Sequence, residues 1–325
     1  MPRPLMVQPR AWMTFELTAR CHQARFLLRP SDECNARFLG VMGRALEIYG
    51  EQVRVHFAGG TSNHIHILAS TKDARWKALF KAFLFGNVSK EVGELYDWPG
   101  PFWHRRCRDI AVLDDEAVYR RAMYLAAQAA KDGLTTIGSW PGIQWVKAVT
   151  EGRPLRGVWY DRTALYQQRV AWARADPATR GRRPCLQDVA RTIPVELTPL
   201  PMWSELSEGE RQAKWVELVE RAGEEFPPKT PTMLGAEAVK GQEPHHRPER
   251  AAKRPAPACH ATTKAKRDWW RAQYALLVHA FRALMKDIQD GLRSADAAEP
   301  FAWCAGLPWP RAPSSGADSG AAAPS

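Results

Sequence analysis

The sequence predicts an α+β fold, with a ferredoxin-like antiparallel sheet and packed helices, followed by a mostly helical, basic C-terminal extension. Three observations carry this prediction. Segments over residues 11–133 follow the order strand, helix, strand, strand, helix, strand, helix, which is the split βαβ order with one helix added. Two of the strand-like segments are separated only by a short Gly-rich turn. The helical segments begin with capping or acidic residues, and two of them end at a glycine.

The first five elements follow from periodicity. The first strand, residues 11–20, is rich in strand-forming residues. A helix over residues 31–50 has apolar side chains at helical spacing. The alternating segments 52–60 and 62–70 are the next two strands, and the short turn between them predicts an antiparallel hairpin. The helix over residues 73–96 carries an apolar stripe that we expect in the core.

The order closes with a fourth strand over residues 102–113 and a helix over residues 114–133. Three acids stand at the start of this helix, where they complement its dipole, and a glycine ends it. Beyond it the pattern predicts three further helices, over residues 163–175, 204–223 and 263–292.

The chain divides into four predicted regions. Residues 1–142 contain the predicted sheet, and residues 143–262 form a Pro-rich, partly helical extension that ends in a basic linker over 224–262. Residues 263–313 form a helical C-terminal segment. The low-complexity residues 314–325 are expected to be a disordered tail.

The composition is that of a globular protein with surplus positive charge: 45% of residues are hydrophobic, 25% are charged, and the formal net charge is +11. Such a surplus favours a polyanionic partner, either nucleic acid or an anionic membrane surface, although a role in solubility also accounts for it. The six cysteines lack C-x-x-C spacing, which disfavours a zinc finger or a disulfide framework. Without a signal peptide or a long apolar run, we expect a cytoplasmic protein with no membrane partner.

The segment "TSNHIHILAS", residues 61–70, carries two histidines one residue apart in an apolar strand. Because side chains alternate along a strand, His64 and His66 point to the same face of the sheet. Buried imidazoles need partners, and a metal ion is a common partner for two adjacent ones. The alternative is a pair of histidines at the sheet surface that bond to water or to the backbone.

The helix over residues 114–133 supplies two further candidates, Tyr124 and Gln128. They are four residues apart and share a helix face, and the alanine-rich stretch between them leaves room for a ligand. A glutamine oxygen can complete a metal site with two histidines, and a tyrosine beside it can act as a nucleophile. A phenol has an ordinary pKa of about 10, so nearby positive charge or a base has to favour the phenolate. Taken singly, each side chain also fits a packing or solvated role.

Together these motifs resemble the single-tyrosine transposases of the HUH endonuclease superfamily, and most closely the REP-associated tyrosine transposases. "SNHIHIL" is similar to that family's Asn-His-hydrophobic-His signature, and "FELTARCHQARFLL" to its first strand with Thr-x-Arg. "FWHRRCRDIAVLDDEAVYRRAMYLAAQAAKDGL" is similar to its strand and catalytic helix. The resemblance covers residues 12–142, and the ordered combination is more specific than the histidine pair alone.

The resemblance implies an HUH nuclease core in which His64 and His66 bind a metal and Tyr124 is the nucleophile. Gln128 matches the position where some relatives place a third ligand. Many members have an Asn-Pro pair after the tyrosine, whereas this chain has Gln128 followed by alanine, which leaves the composition of the metal shell open. The expected cofactor is Mg²⁺ or Mn²⁺, and zinc is also compatible with the ligands.

The implied activity is that of a single-stranded DNA endonuclease and strand transferase that forms a 5′-phosphotyrosine intermediate. The implied partner is single-stranded or hairpin DNA of REP-like repeats, bound by a monomer or a homodimer associated with the nucleoid. Basic side chains among aromatic ones suit such a strand, with charge for phosphates and rings for unstacked bases. The predicted DNA contacts are Arg20, Asn63, Trp103, Arg105, Arg106, Arg108, Lys131, Lys253, Arg254, Lys264, Lys266 and Arg267.

Each of these predictions has an alternative. The segment with Trp103 and the three nearby arginines also fits a solvated edge strand whose indole lies in the core. The basic stretch 245–271, which contains the C-terminal predicted DNA contacts, also fits a solvated linker. The whole chain also fits a domesticated transposase that binds hairpin DNA and has little cleavage activity. It also fits a metal-dependent phosphodiesterase that uses activated water, with Tyr124 in a structural role. An RNA-binding ferredoxin-like domain is less favoured, because its central strands would need more exposed aromatic residues.

Overall fold

The computed structural model describes residues 8–249 and 257–293. Within them, a five-stranded sheet has the order β2-β3-β1-β4-β7, and β5 and β6 form a separate two-stranded sheet. The strands are β1 (Met13–Arg20), β2 (Val53–Thr61), β3 (His64–Thr71), β4 (Arg108–Val112), β5 (Leu155–Tyr160), β6 (Ala190–Val195) and β7 (Cys259–His260). The α-helices are α1 (Asp32–Tyr49), α2 (Ala74–Leu95), α3 (Asp115–Lys131), α4 (Val146–Thr150), α5 (Arg162–Arg174), α6 (Glu208–Glu225), α7 (Ala236–Lys240) and α8 (Lys264–Gln289).

The first four strands confirm the predicted ferredoxin-like fold. β1 lies between β3 and β4 and pairs antiparallel with both, and β2 pairs with β3 as the predicted hairpin. α1 and α2 pack together, and α2 lies over the face that carries Phe15. α3 covers the opposite face, where its backbone passes close to Gly59 of β2. The sheet therefore separates the predicted core helices from the helix that carries Tyr124.

The predicted helix starts agree with side-chain caps. Ser31, Asp73 and Asp114 each accept a hydrogen bond from the backbone N–H three residues later. Such a cap satisfies one of the N–H groups that the first helical turn leaves unpaired. The first residues of α1, α2 and α3 are therefore fixed by local sequence, and Asp114 fixes the start of the helix that bears Tyr124.

The fourth strand is shorter than predicted. It begins at Arg108 rather than at Phe102, and the residues before it form a loop. Trp103 makes an isolated bridge to Cys21 and donates its indole N–H to the carbonyl of Phe85 at 2.8 Å. These contacts hold the aromatic half of the segment against α2, so only its second half joins the sheet.

Residues 143–249 pack on the sheet-bearing core. The antiparallel β5–β6 pair lies on α1, and the two backbones meet at Gly40 and Gly157, where a Cβ on either would overlap the other chain segment. Arg162 of α5 forms ion pairs with Glu91 and Glu94 of α2. α6 packs on α3. The expected linker over 224–262 includes α7 and β7, the second of which extends the sheet.

Within the described residues, no helix has both the length and the apolar character that a membrane span requires.

Candidate active site

The histidine pair lies on the α3-facing side of the sheet. In the register of β1 and β3, His64 pairs with Arg20 and His66 with Thr18, so all four side chains share one face. The two imidazole rings are 5.2 Å apart, centre to centre. The alternation of the strand therefore places both rings side by side, as the sequence predicts.

Each imidazole has its Nδ1 held by an oxygen. His64 Nδ1 lies 2.7 Å from the amide oxygen of Asn63 and 2.9 Å from the hydroxyl of Thr61. His66 Nδ1 lies 2.6 Å from a carboxylate oxygen of Glu16. An oxygen on Nδ1 selects the tautomer with the proton there and leaves the Nε2 lone pair for a ligand. Asn63, predicted as a DNA contact, thus orients an imidazole in this structure.

Gln128 reaches the same place from α3. Its side chain is buried, with 2% of its surface exposed, and its amide nitrogen hydrogen-bonds His64 Nε2. This approach depends on Gly59 beneath the helix, since a Cβ there would lie 2.7 Å from the carbonyl oxygen of Leu125. Among the described residues, the buried amide oxygen of Gln128 has no hydrogen-bond partner. Buried acceptors nearly always have a hydrogen-bond partner, so an unpartnered one is unusual. This oxygen is available to accept from, or to coordinate, a ligand at the site.

Tyr124 lies one turn earlier on α3, surrounded by positive charge. Lys131 places its ammonium 2.7 Å from the Tyr124 hydroxyl, to which it donates a hydrogen bond. The guanidinium of Arg121 lies 4.2 Å from the centre of the Tyr124 ring. The ring also contacts His66 at 6.5 Å and Phe226 at 5.6 Å between centres. This arrangement meets the requirement that positive charge stand next to the phenol oxygen.

Glu16 is a further residue of the candidate site, and the sequence did not single it out. It is buried in β1, and its carboxylate accepts hydrogen bonds from His66, Arg121 and His260. Burial by itself would raise the pKa of Glu16, yet the hydrogen bonds from His260 and His66 and the nearby charges hold it well below its ordinary value. The signal was an acid inside a predicted central strand, because a buried charge requires partners.

The electrostatics keep His64 neutral. Burial lowers the pKa of His64 well below its ordinary value, and the charges of His66, Arg20 and Lys131 act in the same direction, against a weaker opposite effect of Glu16. A metal-binding histidine must be deprotonated at the ligating nitrogen. The site therefore presents His64 in the form that a metal ion requires.

The residues present fit a divalent ion with one rearrangement. Among the described residues, no three His, Cys, Asp or Glu side chains gather at metal-binding distance, so the two imidazoles need a different third donor. Gln128 supplies this third donor when its side-chain amide flips. The flip places the amide oxygen next to His64, where the amide nitrogen lies in this structure. The orientation of a glutamine amide is set by the groups around it. A bound cation favours the orientation in which the oxygen faces the cation.

The structure also locates the other predicted DNA contacts near the sheet. Arg20 and Arg108 are exposed and share the face of the histidine pair, since both pair in register with residues of that face. Arg105 and Arg106 are exposed in the loop before β4. Trp103 is half-buried against Phe85 and Phe102, which matches the alternative in which its indole belongs to the core. Lys131 lies next to Tyr124, to whose hydroxyl it donates a hydrogen bond.

The basic C-terminal stretch lies only partly within the described residues. Lys253 and Arg254 fall outside them. Lys264 is exposed at the start of α8. Lys266 lies 3.2 Å from the carboxylate of Asp114, and Arg267 donates to the carbonyl of Ala261 at 3.0 Å. Whether any of these groups contacts DNA remains a prediction.

No family model matches the sequence, and no curated protein matches it. Among solved structures, the chain is similar to one described as "Structure of the REP associates tyrosine transposase bound to a REP hairpin", with 13% sequence identity and a TM-score of 0.33. The similarity covers 42% of this chain and 81% of that chain. Values this low carry no function from that protein to this chain.

Proposed function

We propose that this chain is a metal-dependent endonuclease and strand transferase for single-stranded DNA, with Tyr124 as its nucleophile. The observation that carries the proposal is the Lys131 ammonium, 2.7 Å from the Tyr124 hydroxyl, beside two imidazoles whose Nδ1 atoms are held by oxygens. Positive charge there stabilises the phenolate, which is the attacking form.

The reaction is a transesterification. The Tyr124 oxygen loses its proton and forms a bond to phosphorus, and the bond from phosphorus to the 3′ oxygen breaks. The 3′ oxygen leaves and takes up a proton, so the products are a 5′-phosphotyrosine and a 3′-hydroxyl. A second 3′-hydroxyl reverses the step and joins strands, so no nucleotide cofactor is consumed.

The groups around Tyr124 have separate roles in this step. His64, His66 and Gln128 would hold a Mg²⁺ or Mn²⁺ ion, which polarises the scissile phosphate when bound. Glu16 and Asn63 fix the imidazole orientations through Nδ1.

Substrate binding rests on charge around the site face. Arg20 and Arg108 lie on the sheet face of the histidines, and Arg105 and Arg106 extend from the adjoining loop. Exposed guanidinium groups bind phosphates and make affinity depend on salt. We propose hairpin-forming, REP-like repeat DNA as the substrate, with its single-stranded flank at Tyr124.

The experiment that tests this function uses hairpin oligonucleotides from repeats that flank the gene, labelled at either end and incubated with protein and Mn²⁺. We expect a denaturant-resistant protein–DNA band that depends on metal and disappears in Tyr124→Phe. Tyr119→Phe is the matched control, because Tyr119 is a half-buried tyrosine of the same helix that packs on Trp203 away from the histidines.

Other outcomes identify the alternatives. Cleavage without a covalent band would replace the proposal with a phosphodiesterase that uses activated water. Binding to the hairpin without cleavage would indicate a domesticated DNA-binding protein. A covalent band that persists in Tyr124→Phe would assign the nucleophile to another residue.

A further inference from the structure

The C-terminal part of the chain reaches the proposed active site. β7 pairs in parallel with β4, with Val112 opposite His260. This pairing brings the His260 Nε2 atom to 2.7 Å from one carboxylate oxygen of Glu16. The other oxygen of Glu16 accepts from His66 at 2.6 Å and from Arg121 at 2.7 Å. One buried carboxylate thus joins a histidine of the predicted metal site to a histidine almost two hundred residues later in the sequence.

The same segment also holds the start of the helix that bears Tyr124. Thr262 donates from its backbone N–H and from its hydroxyl to Asp114, at 3.1 and 3.2 Å. Lys266 lies 3.2 Å from the same carboxylate. Asp114 in turn caps α3 by accepting from the N–H of Ala117. Residues 260–266 are therefore connected to both proposed halves of the site, to His66 through Glu16 and to the tyrosine helix through Asp114.

We infer that His260 is a positioning residue for the metal site, acting through Glu16 on His66. Glu16 is 1% exposed, so water cannot replace a lost donor on its second oxygen. Without His260, the carboxylate is held from one side only and its bond to His66 Nδ1 loosens. The inference rests on the proposed metal-dependent function, since His66 is a ligand only in that function.

The test is the Mn²⁺ affinity of the full-length protein without DNA, measured by calorimetry. Loss of a group that bonds directly to a metal-binding histidine weakens metal affinity by about 10- to 100-fold. Because His260 acts one contact further out, through Glu16, we expect a rise of roughly three- to tenfold in the Kd of His260→Ala. His260→Gln keeps an N–H donor within reach of Glu16 and should stay close to wild type. His279→Ala, a change to an exposed histidine of α8, is the matched control and should not alter the Kd.

A second pair of variants covers the case in which His260→Ala fails to fold. His260→Asn has the same amide as His260→Gln but is too short to reach the Glu16 oxygen. The inference predicts weak Mn²⁺ binding for Asn and near-normal binding for Gln at equal thermal stability. Equal Mn²⁺ affinities for these two variants and wild type would overturn it.

The outcome separates the inference from the proposed function. Covalent adduct formation in wild type, together with normal Mn²⁺ affinity in folded His260→Ala, would refute the role of His260 and leave the nuclease intact. Mn²⁺ binding that weakens in His260→Ala, with no adduct in any protein, would refute the tyrosine chemistry and support the role of His260.

Discussion

Removing the charge from Lys131 is the perturbation that examines the Tyr124 nucleophile most closely. The ammonium donates to the Tyr124 oxygen at 2.7 Å and also lies 3.9 Å from the centre of its ring. Lys131→Met keeps a side chain of similar length and apolar stem but removes both the charge and the donor. The ring of Tyr124 keeps its contact with Phe226, so its position should be conserved.

The magnitude follows from the type of contact. A hydrogen bond to a charged group contributes about 1.5–3 kcal/mol, and this bond strengthens as the oxygen becomes anionic. Each 1.36 kcal/mol of barrier is about tenfold in rate, so Lys131→Met should slow adduct formation by roughly 10- to 100-fold. Lys131→Arg, which keeps a cationic donor, should lose less.

The assay is the single-turnover rate of covalent adduct formation at saturating DNA and Mn²⁺, because saturation removes effects on binding. Lys90→Met is the control, since Lys90 is exposed on α2, on the opposite side of the sheet. If Lys131→Met forms the adduct at the wild-type rate, the ammonium has no part in the chemistry and the main support for the proposal is lost.

Three further predictions concern the metal site and the fold. Gln128→Leu should weaken Mn²⁺ binding by at least roughly tenfold, because it removes the third donor while keeping the side chain's size. Gly59→Ala should lower the free energy of unfolding by about 1–3 kcal/mol, because the new Cβ would lie 2.7 Å from the Leu125 carbonyl oxygen. Gly86→Ala is the control: this position in α2 has open space around it, so the substitution should raise the free energy of unfolding by up to about 1 kcal/mol. Burial would raise the pKa of Asp109, but two lysines of α2 hold that pKa below its ordinary value of 3.8. The stabilisation that Asp109 contributes is therefore complete above pH 3.8 and is lost as the pH falls through the lower pKa of the folded state. Asp109→Asn should cost about 3 kcal/mol at neutral pH and flatten this acid dependence, as measured by urea unfolding.

Each of these predictions has a contradicting result. Unchanged Mn²⁺ affinity in Gln128→Leu would remove the glutamine from the metal shell. A stable Gly59→Ala protein would show that α3 can move away from β2 without cost. An acid-unfolding profile that is identical in Asp109→Asn and wild type would mean that the lysine–aspartate cluster does not set the acid limit.

The sheet and its helices could be predicted because their signals are local. Alternation defines the β2–β3 hairpin, and side-chain caps at Ser31, Asp73 and Asp114 define three helix starts. The same alternation placed His64 and His66 on one face.

The remaining features depend on contacts between distant residues. β7 has two residues, far too few for a periodic signal, and its partner β4 lies about 150 positions earlier. The contact of His260 with Glu16 follows from that pairing and could not be read from either segment. The fourth strand was predicted too long because the aromatic pattern before Arg108 also fits a loop packed on α2.

The most direct test of the central claim is to map the covalent bond itself. The protein is incubated with Mn²⁺ and a hairpin oligonucleotide, digested with a protease and a nuclease, and the peptides are sequenced by mass spectrometry. We expect a 5′-phosphonucleotide mass on the peptide that contains Tyr124, with none on the peptide of Tyr119. Cleaved DNA with an unmodified Tyr124 peptide, or the mass on any other residue, would contradict the assignment of Tyr124 as the nucleophile.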